Sequence, residues 1–335
     1  MKKYVPLLIA IAGLSIVSCN KKDRSEEEVV SRRFIHKYGY DVSKEEWEST
    51  EYPGQVITTL RDGVTVTATY EQGVLNGPTT YTYPHSQTKE CTEYYDHGTL
   101  IKKINYSIRG IPSKEELFLA ATHLKTTRWF KSGTPMCVEE YKDGKLVFGE
   151  YMNERNQLLS RIEEGNGVRF IRNDREEIIA KETYDEGSPC LQETYYRNGT
   201  PHLVIPLKDG KVEGEKKEFA ETGEPLSIET YANDMKHGLC SYYQNGSKCE
   251  EAIFSHGMRE GPERHYVDGE TLVEETHWSQ GVKHGPSTMF YDGLAKTDWY
   301  YNSRKVTKGK FNELSQREQD IAEMNDRTKS NEFYE

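Results

Sequence analysis

From Gly210 to Tyr301 the chain repeats itself every 23–24 residues, and that period decides what it can fold into. The segments DGKVEGEKKEFAETG, DMKHGLCSYYQNG, HGMREGPERHYVDG and QGVKHGPSTMFYDG align on their second glycines, Gly214, Gly238, Gly261 and Gly285. An aromatic residue stands five positions after each (Phe219, Tyr243, Tyr266 and Phe290), and a turn glycine follows at Gly223, Gly246, Gly269 and Gly293. The next segment then carries its own aromatic at Tyr231, Phe254, Trp278 and Tyr301. A unit of this size cannot bury a hydrophobic face alone, so its neighbours must stack against it.

Each tile reads as a β-hairpin plus its connection. Asn245-Gly246 and Asp268-Gly269 are hairpin turns, because both central residues of the favoured two-residue turn need positive φ. Ile228-Glu229-Thr230-Tyr231 and Val273-Glu274-Glu275-Thr276 interleave apolar or β-branched residues with carboxylates, the pattern of a sheet with a wet face. The aromatic content agrees: Tyr occurs 23 times against 10 Phe and 4 Trp, and a Tyr ring packs while its hydroxyl stays in water. Fainter copies lie upstream in GVLNGPTTYTY (Gly73 to Tyr83), EYYDHG (Glu93 to Gly98) and YYRNG (Tyr195 to Gly199). ATYEQG, EEYKDG and ETYDEG, ending at Gly73, Gly144 and Gly187, open further tiles. The expected fold is all-β: an elongated antiparallel sheet of about ten tandem hairpins over residues 51–302.

Four details stay open at this level. Asp234 stands where a first glycine falls, and Cys190, 24 residues before Gly214, where a second falls; either is expected to relax a turn. Ile111 to Phe130 fits a helical turn or a long hairpin. The polar tail 303–335 is either disordered or a helix whose Leu314 and Ile321 share a face and cap the sheet edge.

The phrase NGxxxGxxxxYxxNG, written here as DMKHGLCSYYQNG, resembles the variant MORN repeat of bacteria. The resemblance runs from about Gly63 to Gly293 and is strongest from Gly210 onward. It implies tandem β-hairpins. Members of this group include surface and periplasmic lipoproteins, and many carry a toxin–antitoxin label.

The N-terminus reads as an address. MKKYVPLLIAIAGLSIVSCN has a basic start and a short apolar run, too short to span a bilayer comfortably, which is the layout of a secretory signal over residues 1–18. Ile16-Val17-Ser18-Cys19 resembles a bacterial lipobox, with cleavage between Ser18 and Cys19 and lipidation of Cys19. By resemblance to lipoproteins of diderm bacteria, Asn20 in place of Asp favours the outer membrane over the inner. The charged stretch that follows reads as a flexible tether, placed over residues 19–50. An export signal weighs against an antitoxin for a cytoplasmic toxin.

The rest of the sequence argues for binding. The net charge of −11 disfavours nucleic acid. The paired glycines precede strands and lack a following Lys-Ser/Thr, so they do not form a phosphate-binding loop. No nucleophile elbow or glycosidase pair stands out, and no cofactor or metal is expected. His256, His265 and His277 fall in neighbouring tiles, and Glu229, Glu251 and Glu275 recur once per tile. Cys240 and Cys249 flank the Asn245-Gly246 turn, where a disulfide is conceivable but the register is open. The expected function is a lipid-anchored, non-enzymatic binding or scaffold surface for a protein partner in the envelope. Its candidate surface is Tyr231, Phe254, Trp278, Trp299 and Tyr301, exposed aromatics being good interface anchors. Carbohydrate binding by the aromatic and Glu ladder is the alternative, and an immunity-like role the third.

Overall fold

The structure is a computed structural model that describes residues 28–332, with side chains as far as Met324. Ser18 and Cys19, and with them the expected signal and lipidation site, lie outside the described residues. The chain divides into two compact units, Met1–Arg169 and Phe170–Glu335.

The first unit contains β1 (Val29–His36), β2 (Asp41–Val42), α1 (Lys44–Thr50), β3 (Gly54–Leu60), β4 (Thr65–Glu71), β5 (Val74–Thr82) and β6 (Lys89–Asp96). It continues with β7 (Thr99–Tyr106), β8 (Pro112–Ala120), β9 (His123–Trp129), β10 (Pro135–Lys142), β11 (Lys145–Met152) and β12 (Leu158–Glu163), and β13 (Asn166–Arg172) crosses the boundary. From β3 to β12 each strand pairs antiparallel with the next, and β1 adds to β3 from outside. The second unit holds β14 (Ile178–Asp185), β15 (Ser188–Tyr195), β16 (Pro201–Lys208), β17 (Lys211–Val212), β18 (Gly214–Phe219) and β19 (Pro225–Ala232). Next come β20 (Met235–Gln244), β21 (Ser247–Ser255), β22 (Met258–Val267), β23 (Thr271–Ser279), β24 (Val282–Tyr291), β25 (Leu294–Tyr301), β26 (Arg304–Val306) and α2 (Lys308–Glu332). The expected antiparallel succession of hairpins is the architecture of both units.

The two kinds of glycine do different work. At Asn245-Gly246 the φ values are +50° and +78°, and Gln244 pairs with Ser247 across a two-residue turn whose twist matches that of the strands. The second glycine of each tile lies inside a strand, at a bulge. Ala252 and Phe254 face Glu263 and Arg259, so two extra residues are accommodated around Gly261, and Gly238 and Gly285 stand in the same place with φ of +97° and +115°.

Asp234 does not relax its turn. Asn233 and Asp234 keep φ values of +49° and +67°, and the Asp234 carboxylate accepts a hydrogen bond from the Val212 amide at 2.7 Å. Cys190 is not a substitute for the second glycine. It occupies the bulge just past the Glu186-Gly187 turn, with its thiol directed to the Thr183 carbonyl, as Cys249 does past Gly246 toward Tyr242.

Three expectations are resolved by burial. Residues 112–129 form a hairpin, β8–β9, with no helical turn. The segment taken as tether is folded from Val29 onward: β1 pairs along β3, and Trp47 of α1 packs on Phe34 at 5.6 Å and on Tyr70 at 6.2 Å. Phe34 and Trp47 are the apolar residues that seat it, while Val30 stays 65% exposed. The tail is helical, but it docks on the sheet face and not on the edge. Phe311 meets Trp299 at 5.1 Å and His284 at 5.2 Å, while Ile321 stays 58% exposed.

The packed face of each unit is a transverse row of small side chains and carboxylates. In the second unit the row reads Glu229, Cys240, Ala252, Glu263, Thr276, Ser287. In the first it includes Ala68, Thr79, Glu93, Lys103, Glu116, Thr126, Glu139, Gly149 and Ile162. Repeatedly a Tyr donates to the Glu two residues before it: Tyr95 to Glu93, Tyr141 to Glu139, Tyr184 to Glu182 and Tyr231 to Glu229, at 2.9–3.1 Å. Residues two apart on a strand share a face, so the phenol reaches back over the sheet to its own carboxylate.

Burial by itself would raise the Glu139 carboxyl, yet the Arg169 charge and the hydrogen bonds of Arg169 and two phenols hold it below its ordinary value. Burial is likewise outweighed at Glu229 by Lys236 and Tyr231, and at Glu251 by Tyr266 and Lys248. A carboxyl depressed in the folded state stabilises fully above its unfolded value of 4.5 and loses that contribution as pH falls through the folded values. Unfolding temperature is therefore expected to hold from pH 7 to about 5 and to drop below 4.5. Scanning calorimetry from pH 7 to 3 checks this, and an unchanged midpoint at pH 3 would refute it.

Candidate functional site

One position in the tile separates the two units. In the first, each aromatic near the end of a strand is paired with a leucine five or six residues later: Tyr70 with Leu75, Tyr95 with Leu100, Phe118 with Leu124, and Tyr141 with Leu146. The result is an apolar ladder across eight strands. Above it lies a groove of about 1520 Å³, lined from Val29 to Gly144 and walled on one side by α1 through Trp47, Glu48 and Glu51. Phe118 is 37% exposed within it.

The groove has a polar floor. Lys103 approaches Glu93 at 3.3 Å, and both side chains are about nine-tenths buried. Tyr81 and Tyr95 donate to the other Glu93 oxygen at 3.3 and 2.9 Å. Burial first, and Glu93 next, push both phenols well above their ordinary value, so they remain protonated donors. These groups satisfy one another. A buried polar network whose members are bonded to one another is rigid.

The candidate surface read from the sequence lies in the second unit and does not form one patch. Tyr231, Phe254 and Trp278 do share a face, but there the leucine position is basic: Lys236, Arg259, Lys283 and Lys305. Lys236 sits over Phe254 at 5.3 Å, Arg259 over Trp278 at 5.3 Å, and Lys283 over Trp278 and Tyr300 at 5.6 Å each. Glu229, Glu250 and Asp298 neutralise three of these cations. The ring that continues the ladder is Tyr300, opposite Gly285, and not Tyr301. Trp299 and Tyr301 point to the other face, where Phe311 covers them and the Tyr301 hydroxyl bonds Glu318.

The carboxylate ladder divides in the same way. Glu229 lies in the buried row, whereas Glu251 and Glu275 flank Arg264 on the opposite face. His265 contacts Glu263 and pairs across from Glu274, while His277 pairs with Pro262 on the other side, so the histidines do not cluster. Glu250, Glu263 and His265 are close enough to hold a cation. That place is taken by the Arg259 guanidinium, 2.9 Å from Glu250 and 3.4 Å from Glu263.

Cys91, Cys137, Cys190, Cys240 and Cys249 are free thiols. Cys240 pairs with Ala252 and not with Cys249, so the conceivable disulfide is not made. Burial above all pushes the Cys137 thiol up to about 12.

The groove was legible in one respect that the tile alignment passed over. The residue five or six positions on is Leu after Tyr70, Tyr95, Phe118 and Tyr141, and Lys or Arg after Tyr231, Phe254, Trp278 and Tyr300. What sequence spacing lacks is the position of α1, which closes one wall.

The MORN repeat variant family matches residues 87–107. This is the β6–β7 hairpin, which supplies Glu93, Tyr95, Leu100 and Lys103 to the groove, and not the tiles from Gly210 onward that carry the resemblance most plainly. No curated protein matches the chain. Among solved structures, the crystal structure of TcdB2-TccC3-Cdc42 aligns over 80% of this chain and 19% of that one, at 9% identity and a TM-score of 0.19. BamB from Moraxella catarrhalis aligns over 74% and 82% at 12% identity and a TM-score of 0.15. The chain thus carries a MORN-variant repeat within an all-β hairpin protein.

Proposed function

We propose that this chain is a non-enzymatic binding protein of the bacterial envelope, anchored by lipid at Cys19, that engages a protein partner through its first unit. The groove carries this reading. It is large, its walls are aromatic and leucine side chains, and its floor groups are already bonded to one another. Extended repeat surfaces typically serve recognition. The cleavage site at Ser18-Cys19 and Asn20 support export and favour the outer membrane.

Cys19→Ala is expected to move the protein from the membrane pellet to the soluble fraction, since acyl chains alone provide the attachment. Fractionation of cells expressing each form checks it. An unprocessed Cys19→Ala chain that still sediments as wild type does would refute the anchor. For the partner, a photo-crosslinking residue at position 118 in native cells should give one discrete protein adduct that is lost in Trp47→Ala.

A further inference from the structure

We propose that the groove of the first unit takes an extended, basic polypeptide segment, one in which Lys or Arg alternates with apolar side chains. This rests on the binding function proposed above and names the chemistry of its partner.

Size comes first. Small-molecule pockets run to about 1,000 Å³, and this groove is about 1520 Å³. Beside β1 it crosses β3 to β10, and seven steps of about 4.8 Å span roughly 34 Å, the length of about ten extended residues. A polymer fits it better than a metabolite.

Charge decides which polymer. The lining holds the carboxylates of Glu48, Glu51, Glu90, Glu93, Glu116 and Asp143 against two cations, Arg32 and Lys103. Lys103 is committed to Glu93, and Glu116 is paired with Lys114 at 2.6 Å. Glu51, Glu90 and Asp143 are exposed around the mouth and carry no ion pair among the described residues. Nucleic acid and anionic lipid are repelled by such a rim. A neutral glycan would stack on the rings but would leave the carboxylates unused. A Lys or Arg side chain uses both, because its alkyl stem packs along the aromatic–leucine ladder and its cationic head reaches the rim. The second unit shows the same chemistry internally, with Lys236, Arg259 and Lys283 laid over Phe254, Trp278 and Tyr300. In the first unit leucine stands across from Tyr70, Tyr95, Phe118 and Tyr141, so the same rings have no Lys or Arg of their own at that position.

The test is fluorescence anisotropy with the detergent-solubilised full chain and three labelled twelve-residue peptides. Each alternates Leu or Thr with one variable residue: Lys, Ser or Glu. The Lys peptide is expected to bind at least tenfold more tightly than the Ser peptide, with no binding of the Glu peptide. A triple variant, Glu51→Gln with Glu90→Gln and Asp143→Asn, should weaken the Lys peptide at least fivefold and flatten its salt dependence. The chain is acidic overall, so Glu215→Gln with Glu221→Gln and Glu270→Gln, three exposed changes in the second unit, controls for diffuse attraction and should leave binding unchanged. Equal losses in the two triple variants, or no binding of the Lys peptide, would overturn the proposal. Equal affinity for the Ser and Lys peptides would overturn the charge assignment and leave the protein-partner function standing. If the only ligand is a glycan oligomer such as cellohexaose, and its binding is lost in Trp47→Ala, both fall together.

Discussion

Glu139→Ala is expected to destabilise the first unit by about 3–5 kcal/mol, the range for removing one member of a buried ion pair. Glu139 is 4% exposed and sits at the centre of a closed network. Arg169 donates to one of its oxygens at 2.8 Å, Tyr151 to the same oxygen at 3.0 Å and Tyr141 to the other at 3.0 Å. Truncation removes the acceptor that a largely buried guanidinium and two phenols share, and losing a shared buried acceptor incurs a desolvation penalty. Glu139→Gln keeps the shape and most of the acceptor capacity and should cost distinctly less. Denaturant unfolding gives the size of the loss, and hydrogen exchange should localise it to β10–β13. An Ala variant within about 0.5 kcal/mol of wild type, the range of ordinary surface changes, would show that the network contributes little.

Ile162→Ala should come next, at about 2–5 kcal/mol, against about 0.5–1.5 kcal/mol for Ile162→Val. The side chain is fully buried. In the transverse row it stands between two glycines, Gly149 and Gly167, so its cross-strand neighbours offer no side chain to fill the space it vacates. Neither glycine can repair the loss by gaining a methyl. A Cβ at Gly149 would meet the Tyr151 hydroxyl at 2.8 Å, and one at Gly167 would meet the Arg161 carbonyl oxygen at 2.2 Å. The two sites are linked, because the bare Gly149 is what lets the Tyr151 phenol cross the sheet to Glu139. The double variant Glu139→Ala/Ile162→Ala is therefore expected to lose less than the sum of the single losses. Full additivity would argue that the two contacts are independent.

Much of the local architecture was readable in advance because it is written in short-range rules. Asn245-Gly246 specifies its own turn, and an aromatic every 23–24 residues specifies a repeating strand. The errors arose where an inference needed to know which face a residue occupies. Tyr300 and Tyr301 are one step apart, and in a strand one step is the difference between the two sides of the sheet. The same parity separates Glu229 from Glu251 and Glu275, and places His265 and His277 on opposite sides. The bulge beside a hairpin turn, as at Cys249 between the pairs Tyr242–Glu250 and Tyr243–Lys248, adds one residue to one strand only, so parity counted along the sequence is lost there. Composition misled in another way between Val29 and Thr50, where charged residues are interspersed among the apolar ones that build β1 and seat α1.

The sequence by itself determined the hairpin, its period and its turns, because backbone conformation at Gly, Asn and Asp and the alternation of a strand are properties of neighbouring residues. Only the tertiary structure decided where a groove exists. That depends on α1 folding back against Phe34 and Tyr70, and on leucine rather than lysine standing across from each aromatic, which are relations between strands brought together by pairing and not by sequence order.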